Sequence, residues 1–540
     1  MIKRNGVFKF CAMVLIGMLT ISMTACSAQK APASSSDINS NAKPQYGGTL
    51  TVADQVAPPH LDSDKSTEWK VTEIDNHIYE GLFEFNDKFE AVPQLADSYE
   101  KLDGGKTYKV KLRKGVLFQN GKEMTSSDVE ASFNRWLKNN GAGDIIKPYF
   151  DKVEVIGPYE MDFKFKEPYA PFVNILASEV SGQKFYVRTK EMVDKFGDNI
   201  ITEHIGTGPY QVAEYVPDQY VKLKRFDKYV PNPRPSSLFS GKRVAYLDEI
   251  VFKFVPDEEV RVAGVETGEF QYADEVSQDK YEMLKSNPNV QPIIVPYDMM
   301  GMVVFNCGKA PFNNLDARKA VNAALDMAEY GKAAVGDEKF WRLDGSLFPK
   351  GSIWYDGNAG KGIYNQPNLE EAKALLKKSG YDGTPIVILN TKENAVESQG
   401  ALSLKSQLEK VGFRVDVQLY DRATMLQKRS QVNNWNISIS NWVEFNPDPQ
   451  VFGAWIGTKK WIGNWQDDDS AHMDAIFNKM LGETDTNTRI QDVKDMYKEF
   501  WDKVPMIKTV NYSRLHVKNK SLQGYPDFCK QIFWNTWLQK

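Results

Sequence analysis

Most residues of this chain whose types could do chemistry show none of the spacings that metal-binding or nucleophile motifs require. Five histidines, His60, His77, His204, His472 and His516, are scattered without metal-ligand spacing. His-Glu-x-x-His, Gly-x-Ser-x-Gly, Cys-x-x-Cys and the phosphate-cradling Gly-x4-Gly-Lys-[Ser/Thr] are all absent. Gly206-Thr207-Gly208 continues as Pro-Tyr-Gln without the third glycine of a dinucleotide loop, and reads as a tight turn. Asp485-Thr486-Asn487 begins like a calcium loop, but Ile490 stands where that loop needs glycine. Asp467-Asp468-Asp469 reads as a solvated acidic turn, and His77 as a helix residue. No cofactor, metal or catalytic residue is assigned. Paired acid/base carboxylates leave no spacing signature, so a tethered hydrolase stays open as an alternative class.

One cysteine is placed for chemistry. Lys3, Arg4 and Lys9 precede an apolar run over 10–23, broken only by Gly17, Thr20 and Ser22. Crossing a bilayer takes about 20 apolar residues; this run has the proportions of a signal-peptide core. It ends in Met23-Thr24-Ala25-Cys26, which resembles a bacterial lipobox, where the cysteine thiol is diacylated and becomes the new N-terminus. The expectation is a signal peptide over 1–25, lipidation at Cys26, and a flexible tether over 26–44, rich in small polar residues. The chain would then sit lipid-anchored on the extracytoplasmic face of the cell membrane. Cys11 leaves with the signal. Cys307 and Cys529 remain, either bridged or as two free buried thiols.

Positioning falls to a long, ordinary globular chain. The formal charge is −4, with 42% hydrophobic and 26% charged residues and no Lys/Arg block, so nucleic acid is not an expected partner. The length exceeds one hydrophobic core and calls for two or three domains. Strand-like runs lie at 107–112, 152–156, 161–165, 221–224, 249–255 and 302–306; helical patterns lie at 126–137, 316–334, 369–379 and 398–411. Ala372, Leu375 and Leu376 share one helix face, and Gly380 supplies the C-cap. A strand at 386–389, the helix at 398–411 and a strand at 414–418 form a βαβ unit. The alternation argues for α/β architecture.

An ordered series of blocks carries a resemblance. Leu95-Ala96-Asp97-Ser98-Tyr99, Asp103-Gly104-Gly105-Lys106-Thr107-Tyr108, Leu112-Arg113-Lys114-Gly115-Val116-Leu117-Phe118, Asn120-Gly121 and Ser127-Asp128-Val129 follow one another. Tyr79-Glu80-Gly81-Leu82, Gly206-Thr207-Gly208-Pro209-Tyr210, Glu266-Thr267-Gly268-Glu269, Pro311-Phe312 with Arg318-Lys319-Ala320, and Ala372 through Gly380-Tyr381 extend the series. The series resembles the peptide/nickel (family 5) solute-binding proteins of ABC importers, from about residue 45 to the C-terminus. The resemblance implies a periplasmic-binding-protein-like α/β fold of two hinged lobes with an extra inserted domain. Lobe I would take 45–88, 209–300 and 510–540, the inserted domain 89–208, and lobe II 301–509. The crossings would lie near 303–306 and 507–511. It also implies no enzymatic activity, a monomer, a small solute such as a peptide, and ABC permease subunits as partners; a sensory role with the same fold stays open.

The pocket shows a departure. Peptide-binding members of that family carry Trp-x-x-Asp-x-x-Asp-Pro, whose first Asp pairs with the ligand's α-ammonium. Here Trp442 and Asp448-Pro449 align without a gap, and Phe445 takes the ammonium position. An uncompensated buried charge costs several kcal/mol, whereas cation–π attraction returns about 0.5–2 kcal/mol. Glu444 is adjacent, but on a regular strand it faces the opposite side. Either the ammonium is held by Glu444 or by an acid of the other lobe such as Glu68, or the ligand has no free ammonium and is a sugar, opine or metal chelate. Trp442, Trp69 and Lys184 complete the candidate ligand-binding set, with a solvated surface lysine as the other reading of Lys184. Asp448 and Pro449 read as structural, and Trp461 and Trp465 as lobe packing.

Overall fold

A computed structural model describes residues 43–540 apart from positions 297, 447, 454 and 459–462. The expected signal peptide, Cys26 and nearly all of the tether lie outside the described residues, as does Trp461. Among the described residues, no helix is long and apolar enough to cross a membrane.

Three sheets carry the architecture. The first has seven strands, in the order Val290–Ile294, Leu515–Asn519, Tyr272–Val276, Thr49–Asp54, Glu249–Phe254, Tyr220–Arg225 and Tyr210–Val216. Thr49–Asp54 runs parallel to both neighbours, and the remaining pairs are antiparallel. The second has six strands, in the order Trp341–Arg342, Met506–Tyr512, Met299–Phe305, Ile437–Val443, Ile386–Thr391 and Val415–Tyr420. Met299–Phe305 (MMGMVVF) is almost wholly buried because it lies inside that sheet, and it reads as an unbroken apolar run. The third is a four-stranded antiparallel sheet of Ala96–Leu102, Thr107–Leu112, Glu160–Phe165 and Phe150–Gly157. Glu160–Phe165 alternates strictly, burying Met161, Phe163 and Phe165. Helix Ser126–Asn139 lays Phe133 against this sheet, edge-on to Phe163 at 5.0 Å.

The βαβ unit is present, as Ile386–Thr391, helix Ala395–Glu409 and Val415–Tyr420, with the two strands parallel. The pattern at 316–334 is two helices, Leu315–Ala324 and Met327–Ala334. Asp326 breaks it: its carboxylate accepts from the amides of Ala328 and Glu329 and starts a new helix. The acidic motifs are helix caps of the same kind. Asp467 caps Asp468–Gly482 and Asp485 caps Thr486–Lys503. The Gly206-Thr207-Gly208 turn lies against backbone, and a Cβ at Gly206 would sit 2.0 Å from the Ile78 carbonyl oxygen.

The chain passes between the first and second sheets twice, side by side. It leaves Val290–Ile294 and enters Met299–Phe305, then returns from Met506–Tyr512 to Leu515–Asn519. The Val295 amide donates to the Arg514 carbonyl at 3.0 Å, tying the two crossings together. Residues 303–306 and 507–511, expected as the crossings, instead belong mostly to central strands of the second sheet; the passage occurs at 295–298 and 513–514. Cys307 and Cys529 are both free and buried.

Candidate functional site

At the two crossings lies a largely enclosed cavity of about 200 Å³. Trp69 opens the helix Trp69–Ile78 on one side, with Glu179 and Val180 beside it. Asp298, Met299 and Arg514 come from the crossings, Val443 and Phe445 from the end of a second-sheet strand, and Cys529 and Lys530 from the C-terminal segment. Across the same divide, third-sheet loops grip the far side. The Ala170 amide donates to the Leu481 carbonyl (2.8 Å), the Tyr169 hydroxyl to Gln450 Oε1 (2.6 Å), and Asn174 Nδ2 to Asp448 Oδ2 (2.9 Å). Asp448 is itself held by Arg489 through two bonds of 2.8 and 3.0 Å, a structural role.

The crossings are locked electrostatically. Arg514 donates to both oxygens of Asp298, at 2.6 and 2.7 Å, and also to Glu275. Burial alone would lower the Arg514 pKa, but Asp298 and Glu275 hold it well above its ordinary value. Trp69 receives two cations: Lys70 Nζ lies 4.1 Å and Arg514 Cζ 5.2 Å from its ring.

Behind the Trp69 wall the charges form networks. Lys70, 1% exposed, donates to Asp54 (2.6 Å), Glu73 (2.9 Å) and Asp274 (3.1 Å). Burial pushes the Asp54 carboxyl up to about 8 against the pull of Lys70, with Asp274 and Glu73 adding to the rise. Lys184 lies between Glu84 and Glu179, and Arg243 adds a second cation at Glu84. Burial raises Glu179 to about 7; Lys184 opposes the rise and Glu84 reinforces it. His77 donates from Nδ1 to the Glu73 carbonyl (2.9 Å) and accepts at Nε2 from the Phe533 amide (3.0 Å), which fixes a neutral tautomer. Burial depresses its pKa to about 3. It is a structural histidine.

The residues expected from sequence are distributed unevenly. Trp69 and Phe445 line the cavity. Phe445 is 3% exposed and packs on Phe85, Phe89, Phe239 and Phe528, with ring centroids 5.2 to 6.4 Å away. An aromatic cluster therefore occupies the position where a carboxylate was looked for. Glu444 faces away from that wall, buried, with Oε1 on Arg342 and Oε2 without a partner. Trp442 packs in the core of the second sheet, 4.4 Å from the Trp455 ring. Glu68 is exposed at the start of the Trp69 helix and does not line the cavity. Lys184 is fully buried with its charge matched, rather than solvated, and also lies off the cavity wall. Trp465 sits in the second-sheet core. Glu179, Asp298, Arg514 and Lys530 were not expected; they are single residues in loops, and only the fold brings them together.

Residues 90–464 match the family described as bacterial extracellular solute-binding proteins, family 5 Middle. The chain belongs to that family. The oligopeptide-binding protein AppA of Bacillus subtilis strain 168 is 25% identical over 561 residues, covering 97% of each chain. Among solved structures, the periplasmic binding protein DppA of Helicobacter pylori in complex with the peptide STSA superposes with a TM-score of 0.75 at 22% identity, covering 92% of this chain and 99% of DppA. AgaA of A. tumefaciens R10, in complex with agropinic acid, gives 0.74 at 21% identity, covering 91% and 99%. As a family 5 solute-binding protein the chain is not an enzyme. Its fold is the two-lobe α/β fold of these neighbours. Among the described residues, no cluster of His, Cys, Asp or Glu is arranged to hold a metal ion.

Proposed function

We propose that this chain is the extracytoplasmic substrate-binding lipoprotein of an ABC importer, capturing short peptides between its lobes and delivering them to the permease. The observation that carries the reading is the cavity, whose wall joins the Trp69 helix, both crossings and the end of the second sheet. A solute bound there touches both lobes at once, which is how two-lobed proteins couple capture to closure. The volume of about 200 Å³ equals about six or seven waters at roughly 30 Å³ each. That suits an amino acid or a small dipeptide. Lobe I would take 45–88, 209–300 and 510–540, the inserted domain 89–208 and lobe II 301–509, with a lipid on Cys26 holding a monomer beside its permease. Tethering raises the local concentration of the receptor at the permease.

Native mass spectrometry of the protein purified from cells tests this reading. A retained short peptide, together with loss of its uptake when the gene is deleted, is the expected result. Turnover of the bound solute, or uptake unaffected by the deletion, would overturn it. Phe445 favours a second reading, a solute without a free ammonium such as a sugar, opine or metal chelate, because the aromatic cluster offers no counter-charge there. Calorimetry separates the two: undiminished affinity for N-acetylated peptides would sink ammonium recognition.

A further inference from the structure

The face of the second sheet beyond the cavity holds polar groups that the fold itself does not use. Met300 is paired with Trp442 on one side and Asn511 on the other, and Asn511 is paired with Arg342. Met302 is paired with Lys508. Directly paired residues share a face, so Arg342, Asn511, Trp442 and Lys508 lie together. Lys508 and Asn511 are three apart and would face oppositely on a regular strand. The register shifts between the Met300 and Met302 pairings, placing one extra residue in Met506–Tyr512. That bulge brings both side chains to one side. Glu444, two residues beyond Trp442, joins them through its bond to Arg342.

These groups are buried and incompletely satisfied. Glu444 is 1% exposed, and Asn511 and Lys508 are fully buried. Glu444 Oε2, Asn511 Oδ1 and Asn511 Nδ2 have no hydrogen-bond partner. Lys508 carries three donors and makes one bond, to the Ser346 carbonyl. Burial lowers its pKa to about 8, with Asp344 and Glu444 opposing the fall. Buried polar atoms are almost always paired, and here the unpaired set is specific: two acceptors, one amide donor and an ammonium. Glu444 and Asp344 balance Arg342 and Lys508, so the occupant that fits is neutral overall while carrying both charges. Glu444 stands between Val443 and Phe445 of the cavity wall, and its amide donates to the carbonyl of Asp298 in that wall at 3.0 Å.

We propose that Glu444, Asn511 and Lys508 form the head-group recess of this site and take a free amino acid or dipeptide as its zwitterion. The ammonium donates to Glu444 Oε2 and Asn511 Oδ1, and the carboxylate accepts from Lys508 Nζ and Asn511 Nδ2. This rests on the solute-capture reading and gives it a substrate class: short solutes with both ends free. Phe445 then shapes the apolar wall for the side chain and has no charge to meet.

The test is calorimetry with an equimolar mixture of free dipeptides and the twenty free amino acids. The tightest binder is then compared as the free, N-acetylated and C-amidated forms. A site built on buried polar groups rejects analogues that leave them unpaired, so each cap weakens wild-type binding at least tenfold. In Lys508→Met the amidation penalty falls below threefold while the acetylation penalty persists; in Glu444→Gln the reverse holds. These ratios are internal to each variant and do not depend on how much of it is folded. A full amidation penalty in Lys508→Met, or equal wild-type binding of capped and free forms, overturns the recess while leaving solute capture intact. Wild-type protein that binds no member of the mixture overturns the amino-acid-type assignment and the recess with it.

Discussion

Among the described residues, three lysines are almost completely removed from solvent, and the two regions that hold them treat the charge in opposite ways. Behind the Trp69 wall, Lys70 meets three carboxylates and Lys184 meets two. On the second sheet, Lys508 meets a single carbonyl oxygen. A buried ammonium is tolerated only when paired and hydrogen-bonded. The first region satisfies that rule from within the fold and acts as a frame for the cavity. The second leaves part of it unmet, which is where a ligand can add what the fold omits.

The comparison breaks most visibly through mutation of the frame. Lys70→Met leaves Asp54, Glu73 and Asp274 facing one another, and is expected to cost about 3–5 kcal/mol or more in urea denaturation. Lys184→Met ranks next and near the low end of that range, because Arg243 still neutralises part of the Glu84 charge. The pH dependence comes third. The folded pKa of Lys508 lies near 8, below its ordinary value of 10.5, so the unfolded chain binds more protons between those pH values. Stability contributed by this group therefore rises with pH across that window, by about 1.4 kcal/mol per unit, and Lys508→Met removes the slope. Lys70 has its pKa raised by its carboxylates against burial, so its contribution is present below pH 10.5 and is lost only above it. Stability curves of both variants from pH 7 to 10.5 check the contrast. Smallest is Glu68→Ala, expected to change stability by less than about 0.5 kcal/mol and to leave calorimetric affinity unchanged, since Glu68 is exposed and off the cavity wall.

Local pattern made much of this fold legible. The βαβ unit, the alternating strand at Glu160–Phe165 and the capped helix at Ser126–Asn139 are each written in periodicity and cap residues. The break at Asp326 is a short-range signal too, but the apolar spacing on either side concealed it. The site was less legible. Phe445 stood out because Trp442 and Asp448 frame it, and Trp69 because the family resemblance implies that the first lobe lines the cleft near Tyr79-Glu80. Lys184 looked like a surface lysine, since nothing nearby in sequence says that Glu84, a hundred residues away, will reach it. Lys508 and Asn511 lie in a strand reading Met-Ile-Lys-Thr-Val-Asn-Tyr, whose bulge arises only from pairing with Met299–Phe305. Side-chain period 2 would have placed the two on opposite faces. The crossings were misplaced because the apolar run at 302–306 continues back to Met299 in the fold, which moves the start of the strand toward the cavity.

The most direct measurement is the denaturation free energy of wild type and Lys508→Met at pH 7, each without and with the tightest free dipeptide or amino acid at a hundredfold excess over the wild-type Kd. A ligand bound only by the folded protein stabilises it by about 2.7 kcal/mol under that condition. The account predicts this gain for wild type. For Lys508→Met it predicts a gain below about 1 kcal/mol, with ligand-free stability equal to or above wild type. A variant several kcal/mol less stable than wild type without ligand, yet stabilised by the ligand to the full extent, would show Lys508 to be part of the frame and contradict the distinction between the two regions.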